Sequence, residues 1–522
     1  MPYRRIAPVG GQSDDSYLSI IRQDKSGGVN TRQFSSQIKD TEVEQLENID
    51  IGVFGKRSVR PGLTNVGTVN ASLPIVGLFG FEPRGGTFKL LGLAGTGLSV
   101  WNNTASFASP IKNDFTTGLD TKMVKVGMTG QGDVLAISNG TDNVFIMKQD
   151  NTFIDALDTN TSPPKTTVMA YYRNRLWALK ANLLYWSAAV PATYSLAFDR
   201  TTNAFNIPVG AERAIIGARE YGLVCFGADQ IWGINPSIVP DASSDKPEAL
   251  VTEHGCAANE TAVESGDDYY YLAVDGVRSL KRTIFDKLQQ GVSYPLSYYQ
   301  KDEFDLINWN AITKACAVYF DNKYFISLPT SGSTYNNRVW VYFPASKGWA
   351  FISGWNVAKF AKFKLNGEER LYAGRAVTNG YVYRAWSGAT DDGTAITMTE
   401  TGRNEDLGKP AQKKVGGEVK VEALSTGDYN ITVRASFDNG GFNTLGTMNL
   451  AGNLITFPVT FPVIFGLAAT SYKKFHIDSY GEWYRIQLQL ECTDEMNSES
   501  DVTILNDSIA THISEYDSEE EV

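Results

Sequence analysis

Short runs of apolar and aromatic residues, separated by turns rich in glycine, asparagine and aspartate, occupy most of the chain. This pattern is typical of short β-strands joined by tight turns rather than of amphipathic helices. The strongest helix signal lies at residues 40–48, where an N-capping residue precedes two glutamates that favour the positive end of a helix. The chain is therefore predicted to be all-β, with one short helix near its start.

Pairs of strands joined by a polar or glycine turn recur along the chain. The repeats begin at Ile75, Val124, Thr167, Ala214, Asp267, Lys314 and Lys359. A spacing of about 40 to 50 residues is the length of one four-stranded propeller blade. We predict a β-propeller of about seven blades, and six or eight blades would fit the same boundaries. A series of unrelated hairpins in a β-sandwich is the alternative.

The repeat ends at Trp386, and the strand pattern changes beyond it. Seven short strand patterns follow, one of them at residues 454–463, and their spacing fits a β-sandwich of about 100 residues. The predicted units are an extended arm with the short helix (1–63), the propeller (64–386), a linker (387–417), the sandwich (418–513) and an acidic tail (514–522).

The composition and charge narrow the possible functions. A net charge of −11 disfavours specific nucleic-acid binding, which needs a basic surface to neutralise phosphates. No stretch resembles a secretory signal, and no run of 18 apolar residues occurs. We therefore expect synthesis in a cytoplasm and no membrane anchor.

Residues that could carry chemistry are scattered. The four cysteines and three histidines show neither metal-ligand spacing nor a catalytic motif. His254 and Cys256 could share one face of an extended strand, but no third group orients them. Tyr269, Tyr270 and Tyr271 could stack on sugars, although blade packing explains them as well. We predict no catalytic residue, no metal site and no cofactor.

Carboxylate pairs cannot be assigned from the sequence, because 58 acidic residues allow many pairs in three dimensions. A propeller that binds or cleaves carbohydrate of the host cell envelope is therefore the alternative function.

Residues 436–442, SFDNGGF, resemble the Asp-box turn of sialidases and other propellers, although the aromatic residue comes one position early. Asp438 is expected to accept hydrogen bonds from its own turn. Gly440 and Gly441 are expected to supply the positive φ angles that the turn needs. The stretch is thus predicted to be a hairpin turn that serves folding.

The most specific pattern lies at residues 26–63. It combines a Gly-Gly-Val-Asn-Thr start, Asn48 with Asp50, the pair Lys56–Arg57, and Pro61–Gly62. This segment resembles the opening of many tailed-phage virion proteins, although three residues separate its last two pairs where the usual spacing is tighter. The run at residues 432–446 and a late Tyr-Arg-Ile-Gln-Leu strand are similar to the terminal domain of such proteins.

The resemblance implies a β-propeller of the kind found in nozzle or tail-hub proteins of short-tailed phages. It implies a virion structural protein rather than an enzyme, made in the host cytoplasm. Such a protein would form a homo-oligomeric ring, contact adjacent tail proteins or fibres, and line the channel through which DNA is ejected. A host-encoded scaffold propeller would instead predict Trp-Asp repeats, which the sequence lacks.

The arm supplies the candidate residues for contacts between subunits. They are Gly27, Gly28, Asn30, Thr31, Arg32, Asn48, Lys56 and Arg57. An extended arm with a glycine hinge could reach a neighbouring subunit and add a strand to it. It could equally wrap the propeller of its own chain, and the sequence leaves both interpretations open.

Overall fold

A computed structural model describes residues 17–514, apart from residues 53–54, 105, 129–131, 190–193, 195, 219, 267, 289–292, 451–468 and 500. Strands dominate the described residues. The helices are α1 (Leu280–Leu288) and α2 (Lys301–Asp305), with 3-10 turns at Trp309–Lys314 and Asp478–Tyr480. Of the helices described, none has both the length and the apolar character to cross a membrane.

The strands fall into three groups along the chain. The N-terminal segment contains β1 (Tyr17–Arg22), β2 (Gly28–Val29), β3 (Glu42–Val43), β4 (Gln45–Glu47), β5 (Ile49–Ile51) and β6 (Arg57–Val59). The propeller begins with β7 (Leu63–Asn70), β8 (Ile75–Phe81), β9 (Lys89–Ala94), β10 (Gly97–Val100), β11 (Lys122–Val126), β12 (Val134–Ser138), β13 (Val144–Met147), β14 (Phe153–Ala156), β15 (Met169–Tyr172), β16 (Arg175–Lys180), β17 (Leu183–Trp186) and β18 (Ala204–Asn206). It continues with β19 (Glu212–Ala218), β20 (Gly222–Gly227), β21 (Ile231–Ile234), β22 (Glu248–Val251), β23 (Val263–Glu264), β24 (Tyr269–Ala273), β25 (Gly276–Ser279), β26 (Cys316–Phe320), β27 (Lys323–Leu328), β28 (Arg338–Phe343), β29 (Gly348–Ile352), β30 (Val357–Leu365), β31 (Glu368–Arg375) and β32 (Gly380–Ala385). The C-terminal strands are β33 (Met398–Thr401), β34 (Lys414–Ser425), β35 (Tyr429–Phe437), β36 (Asn443–Leu450), β37 (Ala469–His476), β38 (Glu482–Trp483), β39 (Ile486–Cys492) and β40 (Val502–Ile513).

The fold is an all-β propeller followed by further β-sheet, as the sequence predicts. Six sheets of three or four strands form separate blades: β8–β10, β11–β14, β15–β18, β19–β22, β23–β25, and β30–β32 with β7. The first strands of successive repeats contact one another, from β8 through β11 and β15 to β19, and from β23 through β26 and β30 back to β8. These contacts place the first strand of each repeat around the central axis.

Among the described strands, the number of separate blades is six, where about seven is predicted. The repeat β26–β29 lies between β23 and β30, but its sheet continues beyond β29. Phe351 of β29 pairs in parallel with Glu47 of β4, and β4 pairs with β33. This repeat therefore belongs to a nine-stranded sheet that runs on into the C-terminal strands, and a period read from the sequence cannot reveal that join.

The two ends of the propeller meet in its last blade. Strand β7, from the start of the propeller, pairs antiparallel with β32 from its end, with Leu63 opposite Ala385 and Asn70 opposite Gly380. Without β7, the backbone groups on that edge of β32 would lack their partners. The ring is thus closed by a ladder between strands more than 300 residues apart in sequence.

The C-terminal strands form two sheets, and the N-terminal segment contributes to both. One sheet contains β34, β37, β38 and β40, with β1 and β6 paired to β40. The other contains β33, β35, β36 and β39, with β4 at its junction with the propeller. The side chains of Ile486, Leu488 and Leu490 on β39 are buried in the large core that these sheets share with the neighbouring blades.

The short helix predicted at residues 40–48 is wrong, because this stretch forms β3 and β4. Its backbone groups bond to distant partners: the Glu44 N–H donates to the Thr401 carbonyl (2.9 Å) and the Asn48 N–H to the Phe351 carbonyl (2.8 Å). Val43 and Leu46 are fully buried. Tertiary pairing and burial therefore outweigh the local capping signal.

The predicted linker contains β33 and the start of β34, so it is part of the C-terminal sheets. In the turn at residues 436–442, Asp438 and Asn439 have the positive φ angles, and Gly440 and Gly441 do not. The Asp438 carboxylate accepts from the N–H groups of Tyr484 and Arg485 on a neighbouring segment. The predicted strand at residues 454–463 lies outside the described residues, as do residues 515–522 of the tail.

Candidate functional site

Gly27 and Gly28, the glycine pair of the pattern at residues 26–63, lie against a blade of their own chain. Gly28 has a φ of +69°, and a Cβ there would lie 2.3 Å from the Trp349 backbone nitrogen. The Gly27 N–H donates to the Thr41 carbonyl, so the chain folds back on itself at this point. Only glycine combines this backbone conformation with so close an approach. The pair thus fixes the N-terminal segment against β29.

The next three candidate residues continue along the same surface. Asn30 is buried, and its amide nitrogen donates to the Glu42 carboxylate (2.8 Å). The Thr31 hydroxyl accepts the Asp302 N–H at the start of α2 (3.0 Å). Arg32 is exposed, and its guanidinium carbon lies 3.9 Å from the centre of the Tyr298 ring.

Asn48 stands at the junction of the propeller and the C-terminal sheets. Its side-chain oxygen accepts from Arg60 Nε (2.9 Å), and its amide nitrogen donates to the Thr397 carbonyl (2.7 Å). The buried Arg60 guanidinium in turn pairs with the Asp391 carboxylate. Two segments that are distant in sequence, residues 48–60 and 391–397, therefore meet at one buried polar network.

A second network, the buried charge cluster, lies between the N-terminal segment and the C-terminal sheets. Its members are Arg22, Lys25, Arg57, Glu400, Glu405 and Asp507. Arg57 is ion-paired with Glu400 and lies 3.5 Å from Asp507. Arg22 pairs with Asp507 and lies 3.7 Å from Glu405. Buried charges are tolerated only when they are paired in this way.

The cluster lowers the pKa values of Asp507 and Lys25, for different reasons. Burial alone would raise the pKa of Asp507, but Arg22, Arg57 and Lys25 together hold it below its ordinary value. Burial lowers the pKa of Lys25 by more than the neighbouring carboxylates raise it, so this pKa falls to about 8. Its ammonium nitrogen donates to the Asp40 carbonyl (2.7 Å). The cluster therefore joins the N-terminal segment to the C-terminal sheets through buried ion pairs. Its Lys25 ammonium loses a proton more easily than an ordinary lysine.

The structure divides the eight candidate contact residues into two groups. Gly28, Asn30, Asn48 and Arg57 are buried, and Gly27 and Thr31 are half-buried. These residues tie the arm to its own chain. Arg32 and Lys56 are exposed, and a role in contacts between subunits stays a prediction for them. Sequence reasoning missed Glu400, Glu405 and Asp507, because they belong to C-terminal segments with no pattern that links them to the arm.

Charged side chains also meet at the propeller axis, where the first strands of the repeats begin. This axial charge cluster consists of Asp120, Glu260, Lys314 and Lys359. Lys359 Nζ lies 3.2 Å from Asp120 Oδ1 and 3.5 Å from Glu260 Oε1. Lys314 Nζ lies 3.3 Å from Asp120 Oδ2. The nearly buried Lys359 ammonium thus joins carboxylates from different repeats.

The axial carboxylates are arranged as ion partners. Burial alone would lower the pKa of Lys359, but Glu260 and Asp120 raise it well above its ordinary value. A glycosidase pair needs one carboxylic acid that carries a proton for the leaving group. Here both carboxylates instead lie beside one shared ammonium. The cluster therefore links different blades through ion pairs.

The other candidate groups serve packing. Tyr269, Tyr270 and Tyr271 are buried among the blades. Cys256 is fully buried, its thiol lies 3.0 Å from the Ala258 carbonyl oxygen, and burial raises its pKa. His254 Nδ1 lies 3.8 Å from an Asp275 carboxylate oxygen. Within the described ranges, no three histidine, cysteine or acidic side chains are grouped as metal ligands.

No protein-family model matches this chain, and no curated protein matches it either. Among solved structures, an exo-β-1,3-galactanase from Phanerochaete chrysosporium is 8% identical, with 76% of this chain and 97% of that chain covered and a TM-score of 0.22. PorZ, a component of the type-IX secretion system of Porphyromonas gingivalis, is 12% identical, with 68% and 44% covered and a TM-score of 0.33. BBS1N in complex with ARL6DN is 12% identical, with 63% and 98% covered and a TM-score of 0.36. Likenesses this weak carry no argument about the activity of this chain.

Proposed function

We propose that this chain is a structural component of a bacteriophage tail, a nozzle, hub or fibre adaptor that assembles into a ring. The proposal rests on the position in the fold of the pattern at residues 26–63, which resembles tailed-phage virion proteins. Asn48 and Arg57 belong to that pattern, and both are buried in networks that join the N-terminal segment to the C-terminal sheets. The resemblance therefore concerns residues that determine the architecture.

The function would follow from rigidity and shape. The ladder between β7 and β32 closes the propeller, and the buried charge cluster holds the arm to the C-terminal sheets. Such a body presents its surface loops in fixed positions, which a repeated assembly requires. The axial charge cluster joins the blades across the propeller axis, so a passage for DNA would lie at the centre of a ring of copies.

The proposal can be tested on the particles made by the genome that encodes this chain. Antibodies raised against the purified protein would be applied to purified particles and located by electron microscopy. The proposal expects label on the tail, and mass spectrometry of the same particles should find the chain in a fixed copy number. Particles that carry no trace of the chain would contradict it.

A further inference from the structure

A loop of the fourth separate blade presents two aliphatic side chains almost entirely to solvent. Ile238 is 88% exposed and Val239 is 74% exposed, in the connection between β21 and β22. Single exposed apolar residues are common on protein surfaces. Two adjacent branched side chains at the tip of one loop are unusual enough to need an explanation. We call residues 237–245 the blade knob.

The blade knob is held in shape by its own polar groups. The Asp245 carboxylate accepts the hydroxyl (2.6 Å) and the N–H (3.0 Å) of Ser237, and also the N–H of Asp241 (3.0 Å). The Asp241 carboxylate accepts the N–H and the hydroxyl of Ser243, both at 2.8 Å. The tip is therefore ordered before any partner binds, which lowers the entropy cost of docking.

The blade knob is also acidic. The N–H and hydroxyl of Ser243 hold the pKa of Asp241 below its ordinary value. Burial alone would raise the pKa of Asp245, but the hydrogen bonds from Ser237 and Asp241 lower it. An aliphatic tip beside two ionised carboxylates calls for a receiving surface that is apolar and positively charged.

Such a surface lies where the N-terminal segment crosses the chain before α2. This aromatic patch is formed by the mutual contacts of Arg32, Lys39, Tyr294, Tyr298 and Tyr299. We include Phe34, which is exposed and follows Arg32 by two residues. Phe34 is 79% exposed, and Tyr294 and Tyr299 are also exposed. Arginine and tyrosine are the residues that most often dominate the binding energy at the centre of protein interfaces.

The positive charge of the patch is only partly neutralised within the chain. Lys39 pairs with Glu42 at 3.0 Å. Arg32 faces the ring and the carbonyl oxygen of Tyr298, and none of the described carboxylates forms an ion pair with it. Its guanidinium is thus free to meet an acidic partner across an interface.

We propose that the blade knob of one copy of this chain docks on the aromatic patch of the next copy. Ile238 and Val239 would cover the exposed Phe34 ring, and Asp241 would face Arg32. The two surfaces belong to different parts of the chain, so the contact is heterologous. Repetition of a heterologous contact closes a ring when the rotation between copies divides the full turn. This contact would join the copies of the proposed ring, so the inference rests on the proposed function.

Cross-linking between cysteine variants tests the contact directly. Each of the four native cysteines is buried, so a new surface cysteine is the reactive one. V239C and F34C would be purified separately, mixed in equal amounts and treated with a short bismaleimide. The proposal expects several-fold more covalent dimer in the mixture than in either variant alone. The matched control replaces V239C by V274C, which is similarly exposed on another turn and should give no such gain.

Two results would overturn the proposal. One is a covalent dimer from V239C alone that the mixture does not exceed, because the contact would then be two-fold. The other is equal yields from the mixture and from the V274C control. The outcome is separable from the proposed function: particles can contain the chain while the cross-link fails, and the cross-link can form although the particles lack the chain.

Discussion

The Arg60 guanidinium forms two parallel hydrogen bonds to the Asp391 carboxylate, with Nη1 3.0 Å from Oδ1 and Nη2 2.6 Å from Oδ2. Arg60 comes just before β7, and Asp391 follows β32, which is the strand that pairs with β7. Trp355 supports the pair, because its indole N–H donates to Asp391 (2.9 Å) and its ring centre lies 4.7 Å from the guanidinium carbon. The ion pair thus fixes both ends of the propeller at one point.

Replacement of Arg60 should destabilise the whole chain. Arg60→Met leaves the Asp391 carboxylate without its partner, and breaking a buried pair costs about 3 kcal/mol or more in free energy of unfolding. The measurement is urea unfolding followed by tryptophan fluorescence. The control is Lys362→Met, which removes an ion pair with Glu369 whose side chains are both 45% exposed. Its loss should stay below about 1 kcal/mol, and equal losses for the two variants would contradict the assignment.

Gly28→Ala should be far more damaging than a glycine substitution with the same backbone conformation. Gly28 and Gly85 both have a φ of +69°, but a Cβ at Gly28 would lie 2.3 Å from the Trp349 nitrogen, whereas nothing lies within 4 Å at Gly85. Gly85→Ala should therefore cost only the left-handed backbone penalty of about 1 kcal/mol. Thermal unfolding of the two variants measures the difference. A similar melting temperature for both variants would contradict this prediction, because it would show that the N-terminal segment can move away from Trp349 at little cost in stability.

Lys25 should make the stability depend on pH in the alkaline range. Its pKa is about 8 in the folded chain against an ordinary value of 10.5, so the folded state binds fewer protons than the unfolded state between these values. Stability then rises with pH across that window. The free energy of unfolding of the native chain, relative to Lys25→Met, should increase by up to about 3 kcal/mol between pH 7.5 and 10.5. A flat or falling difference would contradict the buried, weakly protonated amine.

Much of the fold can be predicted from the sequence, because its signals are local. The recurrence from Ile75 to Lys359 reports strands and turns within each repeat, and the propeller confirms it. The join between Phe351 and Glu47 could not be predicted, because one parallel bridge between distant segments leaves no periodic signal. The same reason explains the error at residues 40–48, where β4 takes its partners from β29 and β33.

The candidate site was predictable only in part. The pattern at residues 26–63 identifies Asn48 and Arg57 as important. Their partners Thr397, Glu400 and Asp507 lie more than 300 residues away and carry no motif, so the sequence could not show that the arm closes on its own chain. The blade knob shows the same limit, because the exposure of Ile238 depends on hydrogen bonds within its loop.

Lys359→Met should weaken the propeller at its axis. The ammonium lies between Asp120 and Glu260, and its removal leaves Glu260 without the ammonium beside it and Asp120 with Lys314 alone. We expect a loss of about 3 kcal/mol in the free energy of unfolding at neutral pH. The pKa of Lys359 is raised, so its stabilising effect should be fully present below the ordinary lysine pKa and should be lost progressively as the pH rises from that value toward the raised pKa, opposite to Lys25. Urea unfolding at pH 7 would measure the loss, with Lys362→Met again as the control, and most of the difference should remain at pH 10.5.

The mass of the assembly in solution shows whether copies of this chain form a ring. Native mass spectrometry would be applied to the purified chain and to the chain mixed with the other structural proteins of the same particle. We expect one closed ring whose mass is a fixed multiple of 57.3 kDa. The mass should be smaller when Ile238 and Val239 are both replaced by serine. A chain that stays at 57.3 kDa in both preparations would contradict this expectation.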